Sequence, residues 1–584
     1  MSILTLEERS IYSEGYILYG YESDSIHIIP PHIQPRKFNG DGILWILPLN
    51  CNDKAYMVKT GKYSVKNKKS YTTIEFKSSY EKTEFDGRPR CDFYGKSFCF
   101  DIKNGRELEN TLAHFYWDNL LQEVAERTFM RKKKLIREGY VLSTLNKKSY
   151  GGTYPAVDHE FHIKGRFSFG GKLEAEIIKR MLELQIKIMQ EDPKGISRNV
   201  CAVQPNGHRE YDVWRSSKDH TVKAQMFRVT ANIEFVEEVY EYYSMTKDKS
   251  FIKNNLLALE NNCEYIERFI NDNGLLNSHV YYEDQVMKCG AVCQAQAFAI
   301  NSFKLMSLIE AEFGSNEKKE KYHNLSEKLK HSLIRNYPEG FWDSKEGRFI
   351  DWIDQEANKH DHIHLLSNEL PILFKLSSEK QNEKAFAALE TYADVFNKFP
   401  SFVAGKIEDY TLTEIGTGGY YDLCAAGRYW CWDAAFLSDK CDETKLMRQL
   451  MQVNEQAKID NYLMGERYDM NYVYYNKGDD ANSNWHGSSL YYEYPNVFCK
   501  VLINDYLGVK YGYIEDIELR PLINEGRVRL ETYGIEYTID NGTLLIKNIS
   551  DRNLSILVNL KAYKIFSDII LQLQKCEEMI LKLS

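Results

Sequence analysis

Two acidic motifs in the second half of the chain carry the residue types needed to cleave a sugar linkage. The first, HVYYED, ends in Glu283 and Asp284, and the second, LMGERYD, is centred on Glu466. A glycosidase needs one carboxylic acid to protonate the leaving oxygen and a second carboxylate to activate water or attack carbon. Each motif stands just before a helical segment, so the carboxyl groups meet if those helices pack as a barrel.

The central part of the chain supplies the helices that must position these motifs. Helical periodicity dominates from Leu108 to Val509, most clearly in residues 172–190, 226–243, 251–270, 292–313, 317–336, 364–376, 379–396, 421–437, 443–458 and 494–507. The stretch 109–138 is expected to add one or two more helices, which gives about a dozen.

Alternate helical segments differ in polarity. Small and apolar residues fill the segments that open at Met226, Val292, His364, Tyr421 and Tyr494, whereas the intervening segments carry Lys and Glu on one face. This alternation is expected when inner helices are buried on nearly all sides and outer helices keep one face exposed to solvent. The sequence therefore predicts a mainly α protein built on an (α/α)6 toroid. An open helical solenoid is the alternative, but the segments lack a fixed repeat period.

Short β-prone runs flank the helices at both ends of the chain. They predict an N-terminal β-sandwich-like domain over residues 1–104, the (α/α)6 barrel over 105–511, and a C-terminal β domain over 512–584. The last residues, from Phe566, are expected to form a closing helix.

Composition excludes several classes of partner. With a net charge of −9 and no basic block beyond Arg131 to Lys134, the chain is expected to bind neither nucleic acid nor a membrane. The N-terminal MSILTLEERSIYSEGY lacks the basic patch and apolar core of a signal peptide, so a cytoplasmic location is expected. The sequence sets no oligomeric state.

The loops that lead into the predicted inner helices mix aromatic rings with polar groups, a combination that suits sugar rings and their hydroxyls. Such a mixture also occurs in structural ion pairs and in barrel cores, and that reading stays open. The candidate substrate-binding residues are Asp212, Trp214, Arg215, Asp219, His220, Tyr282, Trp352, Asp354, Arg428, Trp432, Asp433, Trp485 and His486.

The loop DWIDQEANKHDHIHLL is rich in histidine and aspartate. Alternation within a few residues should splay His360, His362 and His364 unless the loop bends, and twelve dispersed cysteines show no paired spacing. We therefore predict neither a metal site nor a cofactor.

The catalytic candidates are Glu283, Asp284 and Glu466. Two adjacent carboxyls behind two tyrosines are poorly solvated if the loop turns inward, and burial with like charge raises the pKa of one of them. Glu283 or Asp284 is therefore the candidate proton donor, and Glu466 is the candidate base. Surface acids, or pairing of Glu466 with an arginine, are the alternatives.

The order of elements resembles the six-hairpin glycosidase clan of glucoamylases, trehalases, processing α-glucosidases and α-L-rhamnosidases. YYED is similar to the WEE motif that holds the glucoamylase acid, which implies a donor at Glu283, while the aspartate-acid families of the clan imply Asp284. GERYD is similar to the WERWD stretch of α-L-rhamnosidases, which implies that Glu466 is the base. The DER triplet of rhamnosidases is missing, since WRSSKDHTVKAQMF offers Asp219 instead.

These observations predict a glycoside hydrolase that inverts configuration and acts on an oligosaccharide or small glycoside. Three alternatives remain: a glycoside phosphorylase, a polysaccharide lyase or sugar epimerase on the same toroid, and a non-catalytic carbohydrate-binding protein. The sugar, its anomeric configuration and the linkage are not determined by the sequence, because loop geometry sets specificity.

Overall fold

A computed structural model shows a barrel of helices with β-structure on either side of it in the chain. The structure describes residues 2–583, apart from short stretches before residue 96 and residues 122, 132–133, 145, 147–153, 156–157, 205–206 and 471–484. Twelve helices build the barrel: α1 Gly105–Phe115, α2 His159–Phe169, α3 Lys172–Gln190, α4 Thr230–Thr246, α5 Lys249–Glu267, α6 Cys293–Phe313, α7 Asn316–Ile334, α8 Leu365–Leu373, α9 Glu379–Glu390, α10 Gly427–Asp439, α11 Glu443–Ile459 and α12 Glu493–Lys500.

The even-numbered helices form a closed inner ring. Each contacts the next in the order α2, α4, α6, α8, α10 and α12, and α12 packs back against α2. The odd-numbered helices lie outside, with α3, α5, α7, α9 and α11 each packed on the inner helix before it and α1 packed on α12. This is the (α/α)6-like arrangement that the alternating polarity predicts, and the ten clearest helical segments are confirmed.

The inner helix α2 escaped the sequence analysis because it has no hydrophobic periodicity. All eleven of its residues are buried, including His159, Glu160, Lys164 and Arg166. Partners on neighbouring elements satisfy the charges: Arg166 Nη1 donates to Glu174 at 2.8 Å, and Lys164 Nζ donates to Glu237 at 2.8 Å. A buried helix whose charged side chains form ion pairs inside the protein looks like a surface segment in sequence.

The stretch 109–138 contains less helix than predicted. After α1 and a wider helical turn, Tyr116–Leu120, the chain forms an antiparallel hairpin of Val124–Arg131 and Lys134–Val141. The pairing of these two strands depends on tertiary contacts, and their mixture of charged and apolar residues does not predict it.

Two sheets account for the strands up to Phe85. One contains Ser2–Glu7, Tyr71–Phe76, Tyr63–Asn67 and Lys37–Gly40, in that spatial order. The other contains Ser25–Ile29, Tyr16–Gly20, Ile43–Pro48, Ala55–Lys59 and Glu81–Phe85. A separate domain over 1–104 stays a prediction, since its last strand, Lys96–Asp101, pairs with Gly526–Leu530 in the C-terminal region.

The C-terminal region after the barrel consists of strands and one short 3-10 helix, Lys561–Tyr563, and the residues after Phe566 form strands, so the closing helix predicted there is wrong. Its strands are Val509–Tyr511, Ile517–Leu519, Gly526–Leu530, Ile535–Asp540, Thr543–Asn548, Leu554–Val558, Ile569–Leu573 and Glu578–Lys582. In Ile569–Leu573, Leu571 and Leu573 are buried, whereas Ile570 and Gln572 are exposed. This alternation is typical of a strand with one face packed on the core.

Among the residues that the structure describes, none of the helices is both long and apolar enough to cross a bilayer.

Candidate active site

A cavity of about 490 Å³ opens where the chain enters the inner helices. The segments leading into α2, α4, α6 and α12 and the first turn of α10 contribute to it, as expected for one end of a toroid. Its volume falls within the range of small-molecule sites. The lining residues are Ser143, Asp158, Cys201, Ala202, Gln204, Glu210, Val213, Trp214, Arg215, Phe227, Tyr282, Asp284, Arg428, Glu466, Arg467 and Tyr491.

Glu466 faces this cavity from the loop before α12 and is almost fully buried. The loop folds back on itself there: the Glu466 N–H donates to the Ser488 carbonyl at 2.9 Å, and the Ser488 N–H donates to Glu466 Oε2 at 3.2 Å. Burial, with the nearby carboxylates of Glu493 and Asp284, raises the pKa of Glu466 to about 7 despite the opposing charge of Arg467. Near neutral pH this carboxyl is therefore poised to hold or release a proton.

Gly487 allows the close approach that fixes the Glu466 carboxyl. Its φ of +89° lies in the left-handed region, and a Cβ at this position would stand 2.3 Å from Glu466 Oε2. Only glycine suits both the backbone conformation and the space.

Asp284 faces the same cavity from the loop before α6. Arg215 Nη2 donates to Asp284 Oδ2 at 2.7 Å, and the Tyr421 hydroxyl donates to Oδ1 at 3.1 Å. Burial opposes ionisation, but the hydrogen bond with Asp422 and the charges of Arg215 and Arg467 outweigh it and hold the pKa of Asp284 below its ordinary value. Asp284 thus carries the negative charge of the site.

Asp422 complements Asp284 from the segment before α10. Burial and the neighbouring Asp284 charge raise the pKa of Asp422 well above its ordinary value. Two carboxyls this close share one proton. Asp422 keeps that proton, which leaves Asp284 ionised.

Glu283 has a different place from its neighbour. It is fully buried and is not among the cavity-lining residues, and its carboxylate accepts hydrogen bonds from His364 Nε2 at 2.6 Å, Gln294 Nε2 at 2.8 Å and Lys288 Nζ at 3.2 Å. Although burial acts the other way, Lys288 and His364 lower the pKa of Glu283. The three donors enclose this carboxylate away from the cavity and hold the loop that presents Asp284.

Four of the thirteen predicted binding residues line the cavity: Trp214, Arg215, Tyr282 and Arg428. Trp214 is 53% exposed, which leaves much of its ring free to stack on a ligand. The Tyr282 hydroxyl donates instead to Glu160 at 2.8 Å, so the tyrosine presents mainly its ring and backbone. The structure brings these four side chains together from the strand Val213–Ser216, the loop before α6 and the first turn of α10.

Three predicted binding residues before α4 do not line the cavity. Asp212 lies in a neighbouring open groove and binds Arg198 at 2.7 Å, while Asp219 closes a turn by accepting from Ser217 and Thr221. His220 belongs to the same turn, with a φ of +63°. Local Asx-type bonding thus explains the polar residues of this loop.

Trp432, Asp433, Trp352 and Asp354 from the predicted set make contacts within the protein and do not line the cavity. Trp432 donates from Nε1 to the Tyr282 hydroxyl at 3.2 Å inside the barrel, and Asp433 accepts from Gln449 at 2.7 Å. Trp352 is buried against the ring of His360, and Asp354 accepts from Asn358. The strand Trp485–His486 pairs with Arg467–Tyr468, but the two predicted side chains lie outside the described residues.

Sequence reasoning missed a buried network of charges beneath the cavity. Glu493 accepts from Arg428 Nε at 2.7 Å and from Arg467 Nη1 at 3.1 Å. Arg467 Nε also donates to Asp422 at 3.2 Å, and Arg428 Nη2 donates to Asp158 at 3.3 Å. Burial raises the pKa of Asp158 to about 6. Recognition of α2 as an inner helix would have drawn attention to Asp158, which stands at its start.

Comparison with known proteins shows the fold. The GH78 family rhamnosidase of Bacillus sp. GL1 superposes with a TM-score of 0.51 at 12% identity, over 93% of this chain and 49% of that one. The α-L-rhamnosidase from Aspergillus terreus gives a TM-score of 0.50 at 12% identity, over 99% of this chain and 61% of that one. The chain thus spans about half to three-fifths of the length of these enzymes.

At the level of sequence, no protein-family model and no curated protein matches the chain. The structural similarity shows that the chain shares the (α/α)6-barrel architecture of these glycoside hydrolases, and the resemblance to the six-hairpin clan is confirmed as a likeness of fold.

Proposed function

We propose that this protein hydrolyses a glycosidic bond with Asp284 and Glu466 as its pair of catalytic carboxyls. The observation that carries the proposal is their opposite electrostatic state in one cavity: the pKa of Glu466 is raised to about 7, whereas that of Asp284 is lowered. Neighbouring titratable groups whose environments separate their pKa values divide into an acid and a base.

The charges favour Glu466 as the proton donor and Asp284 as the base. Glu466 retains a proton at pH 6 to 7 that it can deliver to the leaving oxygen, and ionised Asp284 can accept a proton from an attacking water. This assignment reverses the one that the resemblance implies, in which the GERYD glutamate is the base. Direct attack by water activated in this way inverts the anomeric configuration.

The rest of the cavity suits a sugar. The exposed ring of Trp214 offers an apolar face for stacking, and the guanidinium of Arg215 lies at the cavity wall with donors for hydroxyl groups. The rhamnosidases of similar fold act on rhamnosides, as their names state. Deoxyhexosides such as rhamnosides are therefore the first substrates to test.

Hydrolysis is favoured over phosphorolysis by the pairing of the cavity arginines. Arg215 is bonded to Asp284, Arg428 to Glu493 and Asp158, and Arg467 to Glu493 and Asp422. At pH 7 the ionised carboxylates of Asp284, Glu493 and Asp158 match the three guanidinium charges, while Asp422 keeps its proton, so the cavity offers inorganic phosphate little net attraction.

A panel of aryl glycosides and disaccharides, assayed with and without phosphate, tests the proposal. We expect phosphate-independent release of a sugar whose first-formed anomer, followed by NMR, is inverted. Absence of turnover across the panel, or turnover only with phosphate, would contradict the proposed reaction.

A glycosyl fluoride separates the two roles because fluoride departs without a proton from the enzyme. Glu466→Gln should keep most activity on the fluoride and lose it on unactivated glycosides, whereas Asp284→Asn should lose both. The opposite pattern would return the base to Glu466, in agreement with the motif resemblance.

A further inference from the structure

Three side chains that the proposed reaction does not use converge beside the loop that carries Asp284. His360 Nδ1 and His362 Nε2 lie 2.6 Å and 3.0 Å from the same oxygen, Oε1 of Glu414. From the sequence, the histidines of this loop are expected to splay unless the loop bends. In extended backbone, however, residues i and i+2 point to the same side, so the spacing of His360 and His362 directs both rings toward Glu414.

The three potential ligand atoms lie within 4.8 Å of one another. In a tetrahedral zinc site with bonds of about 2.1 Å, ligand atoms stand about 3.4 Å apart. Small side-chain movements therefore suffice to place a metal ion between them. The three side chains are partly accessible, at 24% for His360, 12% for His362 and 9% for Glu414.

The surroundings hold each group in a ligating orientation. Asp354 Oδ2 lies 3.3 Å from His360 Nε2, the ring nitrogen turned away from Glu414, and Asp354 is itself fixed by Asn358. Glu414 Oε2 accepts from the Thr411 N–H at 2.8 Å, which leaves Oε1 to the histidines. A carboxylate behind a ligating histidine is the usual outer partner in metal sites.

Aromatic packing adds to this orientation. Trp352 stacks on His360 with ring centroids 4.2 Å apart, and Tyr410 stacks on His362 at 3.7 Å. Both imidazole planes are therefore restrained before any ion binds, which reduces the entropy lost on ligation.

We infer that His360, His362 and Glu414 bind a divalent transition-metal ion, zinc being the best fit to two imidazoles and one carboxylate. Such a set leaves a coordination position for water. None of the three residues is among those that line the cavity, so the inferred ion has a bracing role.

The backbone around Glu414 shows what the ion would brace. The Met287 N–H donates to the Glu414 carbonyl at 2.7 Å, and the Gly416 N–H donates to the Gln285 carbonyl at 2.7 Å. A bound ion would thus tie the strand Lys359–His360 and the loop beyond it to the segment paired with residues 285–287, next to Asp284.

Zinc binding to the chelator-treated full-length protein tests the inference, with isothermal titration calorimetry for affinity and elemental analysis for stoichiometry. The wild type should bind one zinc ion more than either His362→Ala or Glu414→Gln. The matched control His323→Ala removes an exposed histidine of α7 and should bind as the wild type does. Asp354→Asn should weaken binding about 10- to 100-fold.

Equal zinc stoichiometry in the wild type and in folded Glu414→Gln would overturn the inference, as would a wild type that binds no zinc. Circular dichroism establishes folding, and the nearly isosteric Glu414→Gln keeps the test decisive if His362→Ala fails to fold. Because binding is measured without a glycoside, the result is independent of the proposed hydrolase activity.

Discussion

The buried carboxyl of Glu466 destabilises the folded protein when it is ionised, and Glu466→Gln should remove that cost. The folded-state pKa of about 7 lies above the ordinary value of 4.5. Between these values the native state binds more protons than the unfolded state, so the free energy of unfolding falls as the pH rises through that window. Glutamine resembles the protonated carboxyl and does not titrate.

The folded-state and ordinary pKa values of Glu466 set the free-energy cost of its ionisation. At 1.36 kcal/mol per pH unit, raising the pKa from 4.5 to about 7 makes ionised Glu466 destabilising by about 3 kcal/mol at pH 8. At pH 5 the carboxyl is protonated in the folded state and the cost is below about 1 kcal/mol. The stabilising effect of the substitution should therefore be larger at pH 8 by about 2 kcal/mol.

Calorimetric Tm values of the wild type and of Glu466→Gln at pH 5 and pH 8 provide the measurement. The variant should gain Tm chiefly at pH 8, while its kcat on unactivated glycosides falls about 10²- to 10⁴-fold, the usual contribution of a general acid or base. The exposed Glu320→Gln on α7 is the control and should change neither quantity. A Tm gain that is the same at both pH values would refute the reasoning.

Three further predictions concern the surroundings of the site. Gly487→Ala should lower kcat at least tenfold, because its Cβ would meet the Glu466 carboxyl. The matched control is Gly419→Ala, which is also at positive φ but has nothing within 4 Å of the added Cβ. Equal kcat in the two variants would contradict the geometry. Glu493→Gln should lower the free energy of unfolding by about 3 to 5 kcal/mol, since it leaves Arg428 and Arg467 without a buried negative partner. Urea denaturation measures this free energy, and a loss below about 1 kcal/mol would count against a stabilising role of the network. Trp214→Ala should raise KM about 2- to 10-fold by loss of stacking without changing Tm. An unchanged KM would show that the ring does not bind the substrate. The control is Leu257→Ala, which replaces an exposed leucine on α5.

Several helices could be predicted from the sequence because local periodicity governs them. Lys172–Gln190 forms α3 with the bounds that the pattern gives, and α6 and α11 begin and end within about a residue of theirs. In each of these helices the buried face is apolar, and the opposite face is charged or packs against another helix. The residue pattern is therefore sufficient to predict the helix.

The failures arise where distant partners override the local pattern. The buried charges of α2 are stable only because Glu174 and Glu237 from other helices pair with them. The segment after Phe566 forms strands in two sheets, where Ile569–Leu573 pairs with Leu554–Val558 and Glu578–Lys582 pairs with the more distant Thr543–Asn548. In both cases the decisive interactions are non-local, and a sequence window does not contain them.

At the candidate site, local sequence was enough to predict the two loops, HVYYED and GERYD, and a barrel that brings them together. The folded chain was needed to show which of the adjacent residues Glu283 and Asp284 faces the cavity, since the turn of that loop points one carboxyl at Lys288 and His364 and the other into the cavity. It also decided which carboxyl keeps its proton, because a pKa depends on burial and on charges that the fold gathers from across the chain.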